Sequence, residues 1–270
     1  LFGVFFLVPL VLSIAFSFTN YDGWKTMDFV GLTNYITLFK DSKFYLSLGR
    51  TLLYTVCTLP FRVIIPLLVA VLLCSKRVAG KSLTRTMVYI PVLMSALVVG
   101  ITINWMFSQE YGLVNFIIRS LGGTALEWSL NPRLATFVIA FASVWASIGF
   151  NMILYIGGIN SISNDLYEAA TIDGASGVQA FFRITVPMLA PTTFMVVLLS
   201  TVNLLKEYAL VQGITQGGPG LSTTFIIQYI FDKGFNQMQY GYASAISTVV
   251  MIIFALIAFA QFKVNNGGET

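Results

Sequence analysis

Polar side chains inside long apolar segments are the residues of this sequence whose types and spacing could do chemistry. Ser200, Asn203 and Glu207 recur at i, i+3 and i+7, so on a helix they would share one face. Ionisable groups are costly inside a membrane and usually face a cavity or the interior of a helix bundle. Because the hydroxyl groups of a solute need oriented polar partners, we expect Asn203 and Glu207 to lie along a solute path.

A second polar face is found on another apolar segment. It consists of Ser143, Ser147, Phe150 and Asn151, with Trp145 to one side. Amide and hydroxyl groups beside aromatic rings suit a sugar, whose C–H face stacks on a ring. For Ser143 and Ser147, hydrogen bonding and close packing between helices is at least as good an interpretation.

Two cations within apolar segments leave more than one role open. Arg62 lies between Pro60 and Pro66, which interrupt the hydrogen-bond ladder of a helix. Arg62 could line the solute path or pair with a partner subunit. Lys206 could extend outward to water or pair with an acid on another helix. The chain contains no His, which excludes histidine catalysis and His-ligated metal sites.

The composition indicates which elements must position these side chains. The chain has 270 residues, 57% of them hydrophobic and 10% charged, and a mean hydropathy of +0.83. A soluble domain carries about 25% charged residues, so the sequence predicts an all-α polytopic membrane protein that forms one domain over residues 1–270, with an incomplete N-terminus. Segments that reach or approach the ~20 apolar residues of a spanning helix are 1–18, 51–74, 87–107, 134–157, 187–211 and 241–262, which makes about six.

A short basic loop orients these predicted spans. Residues 75–86 contain Lys and Arg but no acid, and the positive-inside rule places such a loop in the cytoplasm. Six spans then put both termini and the loop around Glu168 on the same side. On the outer side we expect a short interfacial helix near residues 113–120 and an apolar stretch at 225–231 that is too short to span. Bases confined to such loops set membrane orientation and do not indicate nucleic acid.

A polar insert at residues 163–186 separates the fourth and fifth predicted spans and reads as a short helix–turn–helix. Ser163 or its neighbour can cap the first helix. Gly174 can end it, because Gly tolerates a positive φ. Ser176 can cap a second helix, which we expect Pro187 to end. On helix physics alone, this unit could equally dock a partner or pack on its own bundle.

The sequence from Glu168 to Pro191 resembles the EAA loop of permease subunits in binding-protein-dependent ABC importers. It reads Glu-Ala-Ala-x-Ile-Asp-Gly-Ala and continues at fixed spacing with Phe, Arg-Ile and Pro-x-x-x-Pro. In that family the loop docks the membrane subunit on the cytoplasmic ATPase. The resemblance therefore implies that the ATPase contacts would come from Glu168, Ala169, Ala170, Asp173 and Gly174.

The Gly-Gly-Pro turn at 217–219 is similar to a loop of maltose-type carbohydrate permeases. That likeness implies an importer subunit in the bacterial cytoplasmic (inner) membrane, working with a second permease, two ATPase subunits and an extracytoplasmic sugar-binding protein. The sugar, which we expect to be an oligosaccharide, would bind between the two polar helices, and the flanking residues differ too much from the maltose pattern to identify it. The implied positions are Trp145, Ser147, Phe150, Ser200 and Glu207, to which the polar faces add Asn151 and Asn203.

Other functions fit the sequence less well. An ion-coupled secondary transporter would need carboxylates in its spans, and these offer essentially Glu207 alone. The inverted repeats of many such carriers are not visible. A membrane-embedded enzyme would have to assemble a site without His or clustered carboxylates. Gly80-Lys81-Ser82 matches only the end of a phosphate-binding loop, because Ser75 stands where the first Gly is required. We therefore expect no catalytic site, cofactor or ATP site on this chain.

Overall fold

The computed structural model describes residues 1–24, 27–75 and 80–266, and these form an all-α membrane protein. Among the described residues, the β pairing is a single bridge between Thr19 and Phe29. The helices are α1 (Gly3–Phe16), α2 (Thr33–Phe39), α3 (Ser42–Cys74), α4 (Lys81–Leu93), α5 (Ala96–Met106), α6 (Leu113–Ser120), α7 (Pro132–Asn160), α8 (Asn164–Ile172), α9 (Gly177–Met188), α10 (Ala190–Leu205), α11 (Ala209–Ile214), α12 (Ile226–Phe231) and α13 (Tyr240–Asn266).

Several of these helices are suited to crossing a membrane. Within the described residues, three helices are each long and apolar enough to span: α3, α7 and α13. The number of candidate spans rises to five if each of two bent helix pairs counts as one span. The pairs are α4–α5, bent by 101°, and α9–α10, bent by 66°. The apolar helix α1 is shorter. The predicted polytopic all-α fold is confirmed, whereas the expected number of about six spans exceeds what continuous helices provide. Of the predicted cytoplasmic loop, Lys76 and Arg77 lie outside the described residues.

Helix α3 begins at Ser42, nine residues before its predicted start at residue 51, because Asp41 caps it. The Asp41 carboxylate accepts a hydrogen bond of 2.9 Å from the Lys43 amide and also binds the hydroxyls of Tyr229 and Tyr242. Burial raises the pKa of Asp41, but these tyrosine and backbone hydrogen bonds outweigh it and leave the pKa below its usual value. The cap thereby joins α3 to α12 and α13.

Two predicted spans are broken helices, so the expectation of continuous ones at 87–107 and 187–211 is wrong. In the first segment, helix α4 ends in a 3₁₀ turn that contains Pro91, after which Met94 is extended. The second continues through Pro187, which does not end α9, and bends at Leu189. Beyond this bend, helix α10 ends at Leu205, and the chain becomes helical again only at α11. A break does not lower hydropathy, so the composition of these segments gave no sign of it.

Helix α7 lies at the centre of the bundle and packs against α3, α4, α5 and α10. Close approach depends on glycine. A Cβ at Gly149 would lie 2.6 Å from the Val88 carbonyl oxygen. Where α5 crosses α11, a Cβ at Gly213 would lie 2.9 Å from the Cα of Gly100. The two short helices that follow the breaks are therefore in direct backbone contact, as small residues allow in membrane proteins.

Candidate functional site

The predicted helix–turn–helix at residues 163–186 is confirmed in its first part. The Ser163 hydroxyl caps α8 by accepting from the Asp165 amide at 3.2 Å. Gly174 has a φ of +76°, and a Cβ there would meet nothing within 4 Å, so backbone conformation and not space explains the glycine. Ser176 and Gln179 form a reciprocal capping box at the start of α9.

This loop presents both charge and apolar surface to the exterior. Glu168, Ala169, Asp173 and Gly174 are exposed, and Ala170 is half-buried. Sequence analysis missed two apolar neighbours: Ile172 is 87% exposed and Val178 is 67% exposed. Their signal was an apolar side chain in an otherwise polar insert. An exposed apolar group between charges is typical of a surface that a partner covers.

The loop is attached to the bundle through Tyr167 of α8. The Tyr167 hydroxyl and the Thr185 hydroxyl lie 2.9 Å apart. Tyr167 also borders the same cavity as Cys74, at the end of α3. Tyr167 and Cys74 also pack against one buried cluster that includes Leu73 of α3, so α8 is anchored to α9 and lies close to the end of α3.

A buried polar network lies midway along the bundle, where α3, α7 and α10 meet. The Arg62 guanidinium donates to the Ser143 hydroxyl at 2.7 Å and to the Ser143 carbonyl at 3.1 Å. Arg62 is only 6% exposed. Both of these bonds come from Nη2 of Arg62 and are made within this chain. Among the described residues, the Nε of Arg62 has no hydrogen-bond partner. Both roles left open for Arg62, lining the path and pairing with a partner subunit, are disfavoured by its burial within this chain.

Asn151 connects all three helices of this network. Its side-chain amide donates 2.9 Å to the carbonyl of Arg62 and 3.2 Å to the hydroxyl of Ser200. The Arg62 carbonyl would ordinarily accept from the amide four residues later, but that residue is Pro66, which has no N–H. Asn151 therefore supplies the donor that the proline removes. Sequence analysis recognised both residues but not their pairing, because it crosses from one helix to another.

Glu207 lies in the break between α10 and α11, so it does not share a helical face with Ser200 and Asn203 as expected. Glu207 is 9% exposed, and its carboxylate accepts from the Leu210 amide at 3.3 Å. It thereby satisfies an unpaired amide at the start of α11, where the helix dipole favours an anion. The positive charge of Arg62 also acts on it.

The remaining predicted substrate residues divide by exposure. Trp145 is 37% exposed and Phe150 is 42% exposed, and five residues at 100° each place them about 140° apart around α7. Ser147 is half-buried, with its hydroxyl on the Val144 carbonyl. Asn203 is exposed. The seven residues thus form no single pocket within this chain: one subset is interior, and the other faces outward from the bundle.

A family model for the binding-protein-dependent transport system inner membrane component matches residues 29–266. The chain belongs to this family. Its curated relatives include the arabinooligosaccharides transport system permease of Bacillus subtilis, 32% identical over 98% of this chain and 84% of the relative, and the multiple sugar-binding transport system permease of Streptococcus mutans, 32% identical over 98% and 91%. In fold, a chain of a bacterial alginate importer matches with a TM-score of 0.86 at 23% identity, covering 98% of this chain and 91% of that one.

The predicted residues of this permease divide into two groups by exposure. A fold relative, 23% identical, was solved in complex with an alginate pentasaccharide-bound periplasmic protein. Asn203 and Trp145 are exposed on the permease bundle. Interior residues, such as Asn151 and Ser200, hold the bundle itself together.

Proposed function

We propose that this permease forms one half of the transmembrane pathway of an ATP-driven importer for sugars, with oligosaccharides as the solutes. The observation that carries the proposal is the family match over residues 29–266, together with relatives named for transport of arabinooligosaccharides and of multiple sugars. The second half of the pathway is a homologous permease. Two cytoplasmic ATPase subunits drive it, and an extracytoplasmic binding protein delivers the sugar.

The exposed loop around α8 is the proposed contact with the ATPase. Glu168 and Asp173 offer charge to a basic rim, Ala169 and Ala170 allow close approach, and Gly174 fixes the turn. In this proposal α8 lies in the cytoplasm of a bacterial cell, at its inner membrane, and with an even number of spans both termini lie on the same side. Residues 163–186 then act as a coupling loop within a single transmembrane domain.

For the solute path, we assign different roles to the exposed and the buried residues. Trp145, Phe150 and Asn203 contact the sugar by ring stacking and hydrogen bonding, with Ser147 beside them. The interior residues act from behind this surface. Asn151, Ser200 and Glu207 position it, and Glu207 does so by capping α11 across the break.

The breaks suggest how ATP closure reaches the path. Helix α9 begins inside the coupling loop and extends past it to Met188, and α10 follows α9 across the 66° bend. A displacement of α8 that tilts α9 would move α10 as a rigid segment, and with it Asn203. Only a state that the closed ATPase binds more tightly can be favoured in this way, so the coupling contacts must differ between the inward-open and outward-open states.

The proposal is tested by uptake into vesicles that contain the assembled complex. We expect saccharide uptake to require ATP and to persist when ion gradients are collapsed, since an ion-coupled carrier would show the reverse. Glu168→Lys and Gly174→Pro should abolish uptake without reducing the yield of folded permease, whereas Glu110→Lys, an exposed acid outside the loop, should leave uptake unchanged. Normal uptake and normal ATPase co-purification in both loop variants would refute the coupling role.

The division of the solute residues is tested separately. Asn203→Ala should weaken uptake by up to roughly tenfold, the upper end for the loss of one neutral hydrogen bond, and leave the yield of complex unchanged. Glu207→Ala should lower yield and uptake together, because the amide it caps becomes unpaired, and Glu207→Gln should retain part of both. If Glu207→Ala gave normal yield with lost uptake, Glu207 would instead contact the sugar.

A further inference from the structure

A polar cavity of about 470 Å³ lies at the end of the permease opposite the coupling loop. Its walls come from the first turns of α3, from α11 and from α12 with the turn that follows it. Lys43 at this end of α3 is separated from Cys74 near α8 by about 45 Å at 1.5 Å per residue. In the orientation proposed above, this outer pocket opens to the extracytoplasmic side. Its polar lining includes Lys43, Arg50, Gln212, Gln216, Asp232 and Lys233.

Two amide side chains in the outer pocket are free to bind a ligand. Gln228 has a structural role, since it donates to the Tyr208 carbonyl at 3.2 Å and accepts from the Phe225 amide at 3.1 Å. Gln212 and Gln216, by contrast, make no side-chain hydrogen bond within the part of the chain that the structure describes. A side-chain amide offers both donors and an acceptor, which suits hydroxyl groups.

The backbone of Gln216 ends α11. Its φ is +52°, in the left-handed region, and its amide donates to the Val211 carbonyl at 2.9 Å, as at a helix C-terminus. Gly217 follows it with a φ of +92°, which glycine adopts without steric strain. This turn leaves the side chain of Gln216 exposed and lining the cavity.

The charges of the outer pocket are unbalanced towards positive. Among the described residues that line it, the one acid is Asp232, whose carboxylate accepts from Asn236 at 3.0 Å and from Gln237 at 2.7 Å. Arg50 donates to the carbonyl of Leu221, which leaves other donors of its guanidinium free. Lys43 is exposed and has no side-chain partner within the described ranges. The pocket therefore presents cations to a ligand and keeps its carboxylate occupied.

We infer that the outer pocket is a saccharide subsite that binds a carboxylate-bearing sugar residue. This inference rests on the proposed function of the permease and specifies its substrate class as an acidic oligosaccharide. Lys43 and Arg50 bind the carboxylate, and Gln212 and Gln216 bind ring hydroxyls. The subsite holds one end of the chain at the outer mouth while the next residues enter the path lined by Asn203.

The test measures binding of four trisaccharides to the complete complex in nanodiscs without ATP. Trigalacturonate and trimannuronate carry carboxylates, and maltotriose and arabinotriose do not. We expect at least one acidic trimer to bind at least tenfold more tightly than either neutral trimer. Lys43→Gln should weaken that binding about tenfold, and Lys40→Gln, an exposed cation outside the pocket, should not change it. Equal binding of neutral trimers, binding of none, or equal effects of both variants would overturn the inference.

Gln216→Gly separates a binding role from a structural one. Glycine accepts the positive φ without strain, so the thermal midpoint of the complex should not fall, while binding of the acidic trimer should weaken about tenfold. A lower midpoint with unchanged binding would show that Gln216 stabilises the turn only. ATP-dependent uptake of the same four trimers distinguishes the two proposals. Uptake of a neutral trimer alone supports the importer and refutes the subsite, whereas acidic binding without ATP-driven uptake refutes the importer only.

Discussion

Replacing Asn151 by Leu should expose how the bundle tolerates a proline in α3. The substitution keeps the approximate volume of the side chain but removes the donor that lies 2.9 Å from the Arg62 carbonyl. That carbonyl is buried and has no helical donor, because residue 66 is proline. Leaving a buried polar group unpaired costs about 1–3 kcal/mol, and interhelical hydrogen bonds in membranes average about 0.6 kcal/mol with a maximum near 1.7. We therefore expect a loss of about 1–2 kcal/mol.

The second half of this prediction is a rescue. Pro66→Ala restores an N–H four residues after Arg62, which can then donate to the carbonyl within α3. In that background Asn151→Leu should cost at most about 0.5 kcal/mol, the part due to its bond with Ser200. The coupling between the two positions should thus be on the order of 1 kcal/mol.

The assay is SDS-driven unfolding of the purified complex followed by tryptophan fluorescence, for wild type, both single variants and the double variant. Such a cycle isolates the pairwise contribution when each single change removes the contact without making a new one. If Asn151→Leu costs the same in both backgrounds, to within about 0.3 kcal/mol, Asn151 does not compensate for the proline. Its burial would then reflect packing alone.

Three further results are expected. Gly213→Ala should destabilise the complex by about 1–3 kcal/mol, because its Cβ would lie 2.7 Å from a carbonyl oxygen of α5. Gly157→Ala, whose Cβ would meet nothing within 4 Å, should be neutral or stabilising. Equal thermal midpoints for the two variants would contradict this. Because the pKa of Asp41 is lowered in the folded protein, its contribution to stability is full above about pH 4 and is lost as pH falls through the folded pKa. Asp41→Asn should therefore reduce the acid-induced drop in melting temperature. An unchanged drop would contradict a stabilising role of the Asp41 carboxylate. In a cysteine-free background, an impermeant thiol reagent on intact cells should label Gly218→Cys and not Gly80→Cys, and the opposite pattern would invert the proposed topology.

Local signals in the sequence were enough to predict several elements. The helix expected near residues 113–120 is α6, with those bounds. The caps at Ser163 and Ser176 and the positive φ of Gly174 were also found, because each depends on a few adjacent residues. The resemblance of the EAA loop indicates the family from the sequence alone, and the family match over residues 29–266 confirms it.

The interior of the bundle could not be predicted in the same way. Hydropathy does not reveal the break after Leu205, so the sequence predicts Glu207 on a helical face, whereas the helix ends before that residue. A polar residue on an apolar helix also does not reveal whether it points inward or outward. Ser200 proved buried and Asn203 exposed, although they lie one turn apart. Pairings such as that of Asn151 with Arg62 depend on the packing of separate helices.

The outward-facing Asn203 and Lys206 have a consequence for the life of the protein in the cell. Both lie at the end of the apolar helix α10 and are exposed on the isolated permease. In a subunit that has not met its partner, a lysine there would lie against lipid at a cost of about 2.5–3.5 kcal/mol near the bilayer centre. An unassembled copy would therefore be less stable in the membrane than one whose partner covers these polar groups. Production of this permease should accordingly follow the supply of its partner, so expression trials should begin with both genes together.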